Sequence, residues 1–282
     1  MTLEDWKRVA LELKQGYTPA PHIMLWGGEP LVCPYFDELV VFLKSHGFVL
    51  GMVTNGVLLD KHMDLCKSAF RTIYVSVDGP EEVHDSIRGK GIFKKVTENI
   101  KTISDSGVHV AAMAVLSPML FDRIAEFPVI AAQFGADELY LQDYIRVSKT
   151  EAEEYKAWMK NSFGINASEI DSWINEFPAE YDCNKKAALK LISESDTPIP
   201  VTYIPHKGGG TLCRSPYRHI HVSWNGSVMY CTDFYDFSAG NVKNEKITDI
   251  FNNAVSQRFR EELYNNPTCS HCSWRSKESF YL

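Results

Sequence analysis

FVLGMVTNGVLLDKHMDLCKSAFRTIYVSVDGP (residues 48–80) decides the architecture. Phe48–Val53 is a β-rich run that closes on Thr54-Asn55-Gly56, Asp60–Ala69 carries helical spacing, and Thr72–Val77 closes on Asp78-Gly79-Pro80. Short apolar runs bounded by glycine, asparagine and proline read as strands, and a helix between two of them makes a βαβ unit. The unit repeats outward in both directions. Upstream lie a helix over 2–15, the apolar run His22–Trp26 ending in Gly27-Gly28-Glu29-Pro30, and a helix over Tyr35–His46 stopped by Gly47. Downstream come a helix over Phe93–Ser106, a strand over His109–Leu116, a helix over Phe121–Phe134 and a strand over Glu138–Tyr144. Such alternation implies a parallel sheet with right-handed crossovers, curled into a barrel or doubly wound. Ligands collect at the carboxyl ends of the strands in either case. Three loops rich in glycine, asparagine and aspartate, 27–30, 54–56 and 76–80, fall at those ends.

The 282 residues suit one domain of this kind plus a smaller one. A net charge of −7 argues against a nucleic-acid partner held by a basic surface. No stretch approaches the roughly 20 apolar residues that span a bilayer, and the N-terminus has no signal-peptide core. The expected location is the cytoplasm, where seven cysteines are thiols or metal ligands rather than disulfides. Residues 148–200 break the rhythm, with helical patterns over 151–160, 168–176 and 184–193. Pro198, Pro200 and Gly208-Gly209-Gly210 mark a boundary. A hairpin follows, His219–Trp224 and Ser227–Cys231 around an Asn225-Gly226 turn, then a helix over Ile247–Tyr264. The expected domains are therefore 1–147, a helical connector over 148–210, and 211–282.

Four of the cysteines, Cys213, Cys231, Cys269 and Cys272, crowd the last part of the chain, separated by 17, 37 and 2 residues. Four thiolates suit structural zinc or an iron–sulfur cluster, and spacing does not choose between them. The order is finer than the spacing: Cys213, then Gly226, then Cys231, with HIHVSWNGSVMYC at 219–231 and CSHCSW at 269–274. This resembles the SPASM and twitch modules that follow the catalytic core of many radical S-adenosylmethionine (SAM) enzymes. Glu278 stands six residues after Cys272, and no further cysteine follows. The resemblance then implies one auxiliary 4Fe–4S cluster, of the twitch type.

The first half agrees. Gly27-Gly28-Glu29-Pro30 resembles the GGEP motif of that superfamily, where backbone carbonyls and the glutamate region hold the SAM amino group. Glycine allows backbone to approach an ammonium closely, and proline fixes the exit of the turn. SVDGP (76–80), HDSIRG (84–89) and GIFKKVTENI (91–100) are similar to the pattern around the fourth strand of SPASM-type members. By that resemblance Ser76 and Arg88 contact the SAM carboxylate, which a guanidinium fork matches, and Asp78 lines the same rim. The plain readings are a surface ion pair for Arg88 and a turn former for Asp78.

The family also needs Cys-x3-Cys-x2-Cys upstream of GGEP, to hold the 4Fe–4S cluster that cleaves SAM. This sequence has no such triad. The expectation is a partial (β/α)6 barrel lacking its first strand, truncated at its N-terminus and inactive as it stands. The full-length protein is expected to oxidise a small-molecule or peptide substrate, with electrons from a donor such as flavodoxin or ferredoxin. The rival reading is a non-catalytic scaffold protein with a structural metal at the four cysteines. Cys33, Cys66 and Cys183 read as ordinary thiols, and His206, His219, His221 and His271 as solvated or core residues. Gln142 and Asp143 end the last core strand, where substrate contacts often fall.

Overall fold

Six parallel strands lie in sequence order across one sheet: β1 (Ile23–Leu25), β2 (Leu50–Thr54), β3 (Phe70–Ser76), β4 (His109–Val115), β5 (Glu138–Gln142) and β6 (Val201–Ile204). The computed structural model describes residues 1–175, 177–178, 180–205, 215–231 and 236–263. The first five strands are those expected from the alternating pattern. The sixth falls where the Pro198/Pro200 pair implies a boundary, and both prolines precede it. Pro200 stands just before the strand, a position where a missing N–H costs the ladder nothing. Its carbonyl still accepts from the Leu139 N–H at 2.9 Å. A second sheet is antiparallel and small, β7 (His221–Val222), β8 (Ser227–Met229) and β9 (Gly240–Asn241), with the expected turn at Asn225-Gly226. The α/β class with a parallel barrel-type sheet and a small auxiliary sheet is as the sequence implies.

The helices, in chain order, are α1 (Leu3–Gly16), α2 (Phe36–Ser45), α3 (Met63–Ala69), α4 (Glu81–Arg88), α5 (Ile92–Ser104), α6 (Pro118–Phe121), α7 (Phe127–Gln133), α8 (Lys149–Phe163), α9 (Tyr181–Glu194), α10 (Ser215–Arg218), α11 (Ile247–Asn252) and α12 (Ala254–Glu262). Two expected long helices are each two short ones. Pro128 can serve only in a first turn, so the segment read as 121–134 divides before α7. The segment read as 247–264 divides at Asn253, whose side chain caps α12 by accepting the Ser256 N–H at 2.8 Å. The pattern at 168–176 yields a single 3-10 turn, Glu169–Trp173. Among the described residues no helix is long and apolar enough to cross a membrane.

Two compact units are interleaved along the chain, whereas the expected domains are consecutive stretches. One comprises residues 21–144 and 177–204, the other 1–20, 145–176 and 205–282. In the first, alternate residues of the sheet (Ile73, Val75, Val110, Ala112, Leu139, Leu141) are buried together with Val96, Ile100 and Ile103 of α5. Each of these valine, leucine and isoleucine side chains contributes about 1.5–3 kcal/mol on burial. The second unit has its own core, including Val9, Tyr155, Val228, Tyr230, Phe237 and Phe259. There the Phe237 and Phe259 rings lie 4.5 Å apart, and the Tyr230 hydroxyl pairs with that of Ser256 at 2.6 Å.

Candidate functional site

The loops after β1, β2 and β3 carry the expected motifs, and side chains join the first two. Gly27 and Gly28 have φ of 91° and 53°, and a Cβ on either would meet no atom within 4 Å. Their backbone is therefore both left-handed and open to a ligand's close approach. Glu29 follows and opens one 3-10 turn, Pro30–Val32, with Pro30 in its first turn. One Glu29 oxygen, Oε1, accepts from the Thr54 hydroxyl at 2.7 Å and the Leu31 N–H at 3.2 Å; Oε2 accepts from the Asn55 N–H at 2.7 Å. A carboxylate has about four lone-pair sites, so these three donors leave one open, on Oε2. The β2 loop is braced from behind, where buried Asn99 donates to the Gly56 carbonyl at 2.9 Å. Gly56 itself has φ of 78°, and a Cβ there would sit 2.7 Å from Val75 Cγ1.

Ser76 ends β3, opposite Met113 of β4. Two residues on, Asp78 is buried, and its carboxylate accepts from Arg88 Nε and, at 3.4 Å, from Arg88 Nη2. Arg88 is the last residue of α4, and its side chain is 32% exposed against 6% for Asp78. The guanidinium thus spends two of its five N–H groups on Asp78 and keeps three. Both plain readings of Asp78 and Arg88 hold in part: a loop residue and an arginine that form an ion pair, although a half-sheltered one.

The next turn of α4 holds two residues whose roles the sequence did not reveal. His84 is fully buried, and its Nδ1 accepts the Asp78 backbone N–H at 3.1 Å. Burial pushes its imidazole below the usual histidine range. Asp85 accepts from the N–H groups of Phe93 (2.8 Å) and Gly91 (2.5 Å), capping α5. Those bonds, Phe93's first, hold its carboxyl below the ordinary value. The signal was present in the HD pair of HDSIRG; only the loop geometry says what each half does.

Of the four clustered cysteines, Cys231 is half-buried just after β8, and Cys213, Cys269 and Cys272 lie outside the described residues. His206, His271 and Gly208–Gly210 lie outside them too. Among the described residues no group of three metal-binding side chains occurs. Burial lowers both His219 and His221, the latter to about 4. Cys66 is buried and its thiol is pushed up to about 12, chiefly by desolvation. Cys33 is half-buried and Cys183 exposed. Asp143 is buried rather than open to a pocket: Lys185 of α9 donates at 2.7 Å, the Tyr203 hydroxyl at 3.1 Å and the Tyr144 N–H at 3.0 Å.

Residues 1–127 match the family model of the radical SAM superfamily, and residues 213–273 that of SPASM, an iron–sulfur cluster-binding domain. The mycofactocin maturase of Mycolicibacterium smegmatis is 32% identical over 119 residues, 41% of this chain and 30% of that protein. The Fe-coproporphyrin III synthase of Methanosarcina barkeri is 22% identical over 285 residues, 90% of this chain and 69% of that protein. Thus the chain spans under a third of the first relative's length and about two thirds of the second's. Among solved structures, Streptococcus suis SuiB shares the fold at 12–13% identity. Its complexes with S-adenosylmethionine and with precursor peptide SuiA both give a TM-score of 0.68, covering 97% of this chain and 65% and 64% of the other.

Proposed function

The chain belongs to the radical SAM superfamily and carries a SPASM-type iron–sulfur domain, and from that premise we propose that it is the SAM-binding and auxiliary-cluster part of an enzyme that oxidatively modifies a peptide. The open, left-handed Gly27-Gly28 backbone beside an anchored Glu29 carries this reading. Bound at a 4Fe–4S cluster, S-adenosylmethionine supplies one-electron chemistry that removes a hydrogen atom from substrate. The residues present fit its charged end. The carbonyls around Gly27 and Gly28, with the open Oε2 site of Glu29, receive the ammonium. The three remaining N–H groups of Arg88 and the Ser76 hydroxyl receive the carboxylate. Asp78 keeps the Arg88 fork oriented.

In this reading Cys213, Cys231, Cys269 and Cys272 hold the auxiliary cluster, saturated by protein thiolates and so suited to accepting the electron that a substrate radical gives up as it becomes oxidised product. Reduction comes from a small donor such as flavodoxin or ferredoxin. A peptide is favoured because mycofactocin maturase and SuiB with its precursor peptide both resemble this chain. The chain's own cysteines include no Cys-x3-Cys-x2-Cys. In this reading the cleaving cluster is held by other residues, and these 282 supply the SAM contacts and the auxiliary cluster.

That same absence favours the second reading, a scaffold with a structural metal. Anaerobic quantification of iron, sulfide and zinc separates the two. About four irons and four sulfides per chain, lost in Cys231→Ala, support the enzyme part. About one zinc per chain supports the scaffold.

A further inference from the structure

We propose that His84 is a positioning residue for the SAM site: as the imidazole protonated on Nε2, it holds the Asp78 backbone and, through it, the Asp78–Arg88 pair in the geometry that receives the SAM carboxylate. The inference rests on the reading of Arg88 given above. Three observations carry it.

First, His84 and Arg88 stand four residues apart on α4, hence on one face of that helix. Both reach the same residue of the β3 loop from that face. His84 Nδ1 takes the Asp78 N–H, and Arg88 takes the Asp78 carboxylate. Asp78 is thus gripped at backbone and side chain by two turns of one helix. Moving either grip moves the other.

Second, the imidazole is retained at a cost. Its Nδ1 accepts, so the neutral ring carries its proton on Nε2. That N–H is buried and has no hydrogen-bond partner among the described residues. An unsatisfied buried donor is unfavourable, and a leucine would remove it. A leucine would also leave the Asp78 N–H without an acceptor. A ring that accepts at Nδ1 solves the second problem while tolerating the first.

Third, the loop has no slack to compensate. Gly79 has φ of 152°, and a Cβ on it would lie 2.9 Å from Val83 Cγ1 and 3.0 Å from Leu120 Cδ1. Asp85 meanwhile fixes the far side of α4 by accepting two N–H groups at the start of α5. With α4 held and the glycine turn closely packed, the His84–Asp78 bond sets where the carboxylate, and so the guanidinium, comes to rest.

The test is SAM binding by calorimetry on the anaerobically purified chain, with folding checked by circular dichroism, for parent, His84→Leu, His84→Asn and Arg88→Met. The asparagine carbonyl oxygen occupies roughly the place of Nδ1 and can accept the Asp78 N–H. The expected result is a loss of about tenfold or more in affinity for His84→Leu, a similar loss for Arg88→Met, and recovery to within about threefold in His84→Asn. Parent-like binding by folded His84→Leu, with Arg88→Met weakened, overturns the role of His84 and leaves the carboxylate site standing. Parent-like binding by Arg88→Met overturns the carboxylate reading and this proposal with it; where the parent binds no SAM without the cleaving cluster, the tautomer of His84 decides, and a ring protonated on Nδ1 overturns the proposal. If His84→Leu does not fold, nitrogen NMR of labelled histidines in the parent decides. A His84 ring protonated on Nδ1 at neutral pH overturns the proposal, and one protonated on Nε2 together with recovery in His84→Asn supports it.

Discussion

The Thr54 hydroxyl donates to the Glu29 carboxylate at 2.7 Å, tying the ends of two neighbouring strands together, and the Asn55 N–H takes the other carboxylate oxygen at the same distance. The two loops that precede any ligand are thereby already in register. Binding SAM need not order them, which spares part of the entropic cost of association.

Glu29→Ala is expected to destabilise the folded chain by about 2–4 kcal/mol, because three donors lose an ionised acceptor at once. Thr54→Val, which removes one of those donors and also the acceptor of the Gly56 N–H at 3.0 Å, should cost about 1–3 kcal/mol. Urea unfolding monitored by circular dichroism measures both. Equal midpoints for parent and Glu29→Ala would mean that the clamp contributes nothing to the fold.

At the other edge of the sheet the Asp143–Lys185 pair is sheltered, with side chains 0% and 14% exposed. Lys185→Met should cost about 1.5–3 kcal/mol, since it takes the cationic donor from a buried carboxylate that keeps the Tyr203 hydroxyl and the Tyr144 N–H, whereas Asp143→Asn combined with Lys185→Met should recover part of that loss. Thermal melts of the three variants check the pattern. A double variant no better than the single one would place the damage in packing rather than in charge.

Cys66, fully buried and with its thiol pushed up to about 12, should resist alkylation in the folded protein at mildly alkaline pH. Exposed Cys183 should react within minutes under the same conditions. Peptide mass spectrometry after timed iodoacetamide treatment gives the answer. Modification of Cys66 at the rate of Cys183 would show that α3 opens readily.

The pH dependence follows from the buried imidazoles. His84, His219 and His221 are all held below the ordinary histidine value, 6.5, by burial. Around His84 the charges act in opposite directions, Asp78 and Asp85 raising it and Arg88 lowering it, and desolvation outweighs them. The unfolded chain therefore takes up protons near pH 6.5 that the folded chain refuses. Stability is fully present above that value and falls as the pH drops below it. Melting temperatures should decline between about pH 7 and 5, and His84→Asn should flatten part of the decline. A flat parent profile would mean that these rings are solvated.

Much of this was legible in the linear chain, for a physical reason. The first five strands sit in short apolar runs punctuated by glycine, asparagine or aspartate and alternating with helical segments, and such runs have one stable use in a parallel sheet. β6 was hidden because four residues after a proline carry too little periodicity to register. The helix breaks at Pro128 and Asn253 turn on which residue takes the cap, a matter of local geometry. The three motif loops lie at the ends of β1, β2 and β3, as expected. Their side-chain partners were not legible. Glu29 with Thr54, Asp78 with Arg88 and Asp78 with His84 meet only once the strands are in register, and one of those pairs bridges 25 residues.

The first helix of the chain has its partners at the other end. Within their compact unit, the Met1 amino group donates to the Trp224 carbonyl at 2.8 Å, Arg8 donates to the Val242 carbonyl, and Glu12 accepts the Ile247 N–H at 3.0 Å. A growing chain leaves the ribosome N-terminus first, so α1 emerges more than 200 residues ahead of the groups that hold it. A lone helix of 14 residues is marginal in water, and closing so long a loop is slow. During synthesis the sheet can gather as its strands appear, while α1 remains an uncommitted amphipathic segment. It becomes fixed only once residues 224–247 have been made, and a ribosome stalled before residue 240 would leave it exposed to chaperones and proteases.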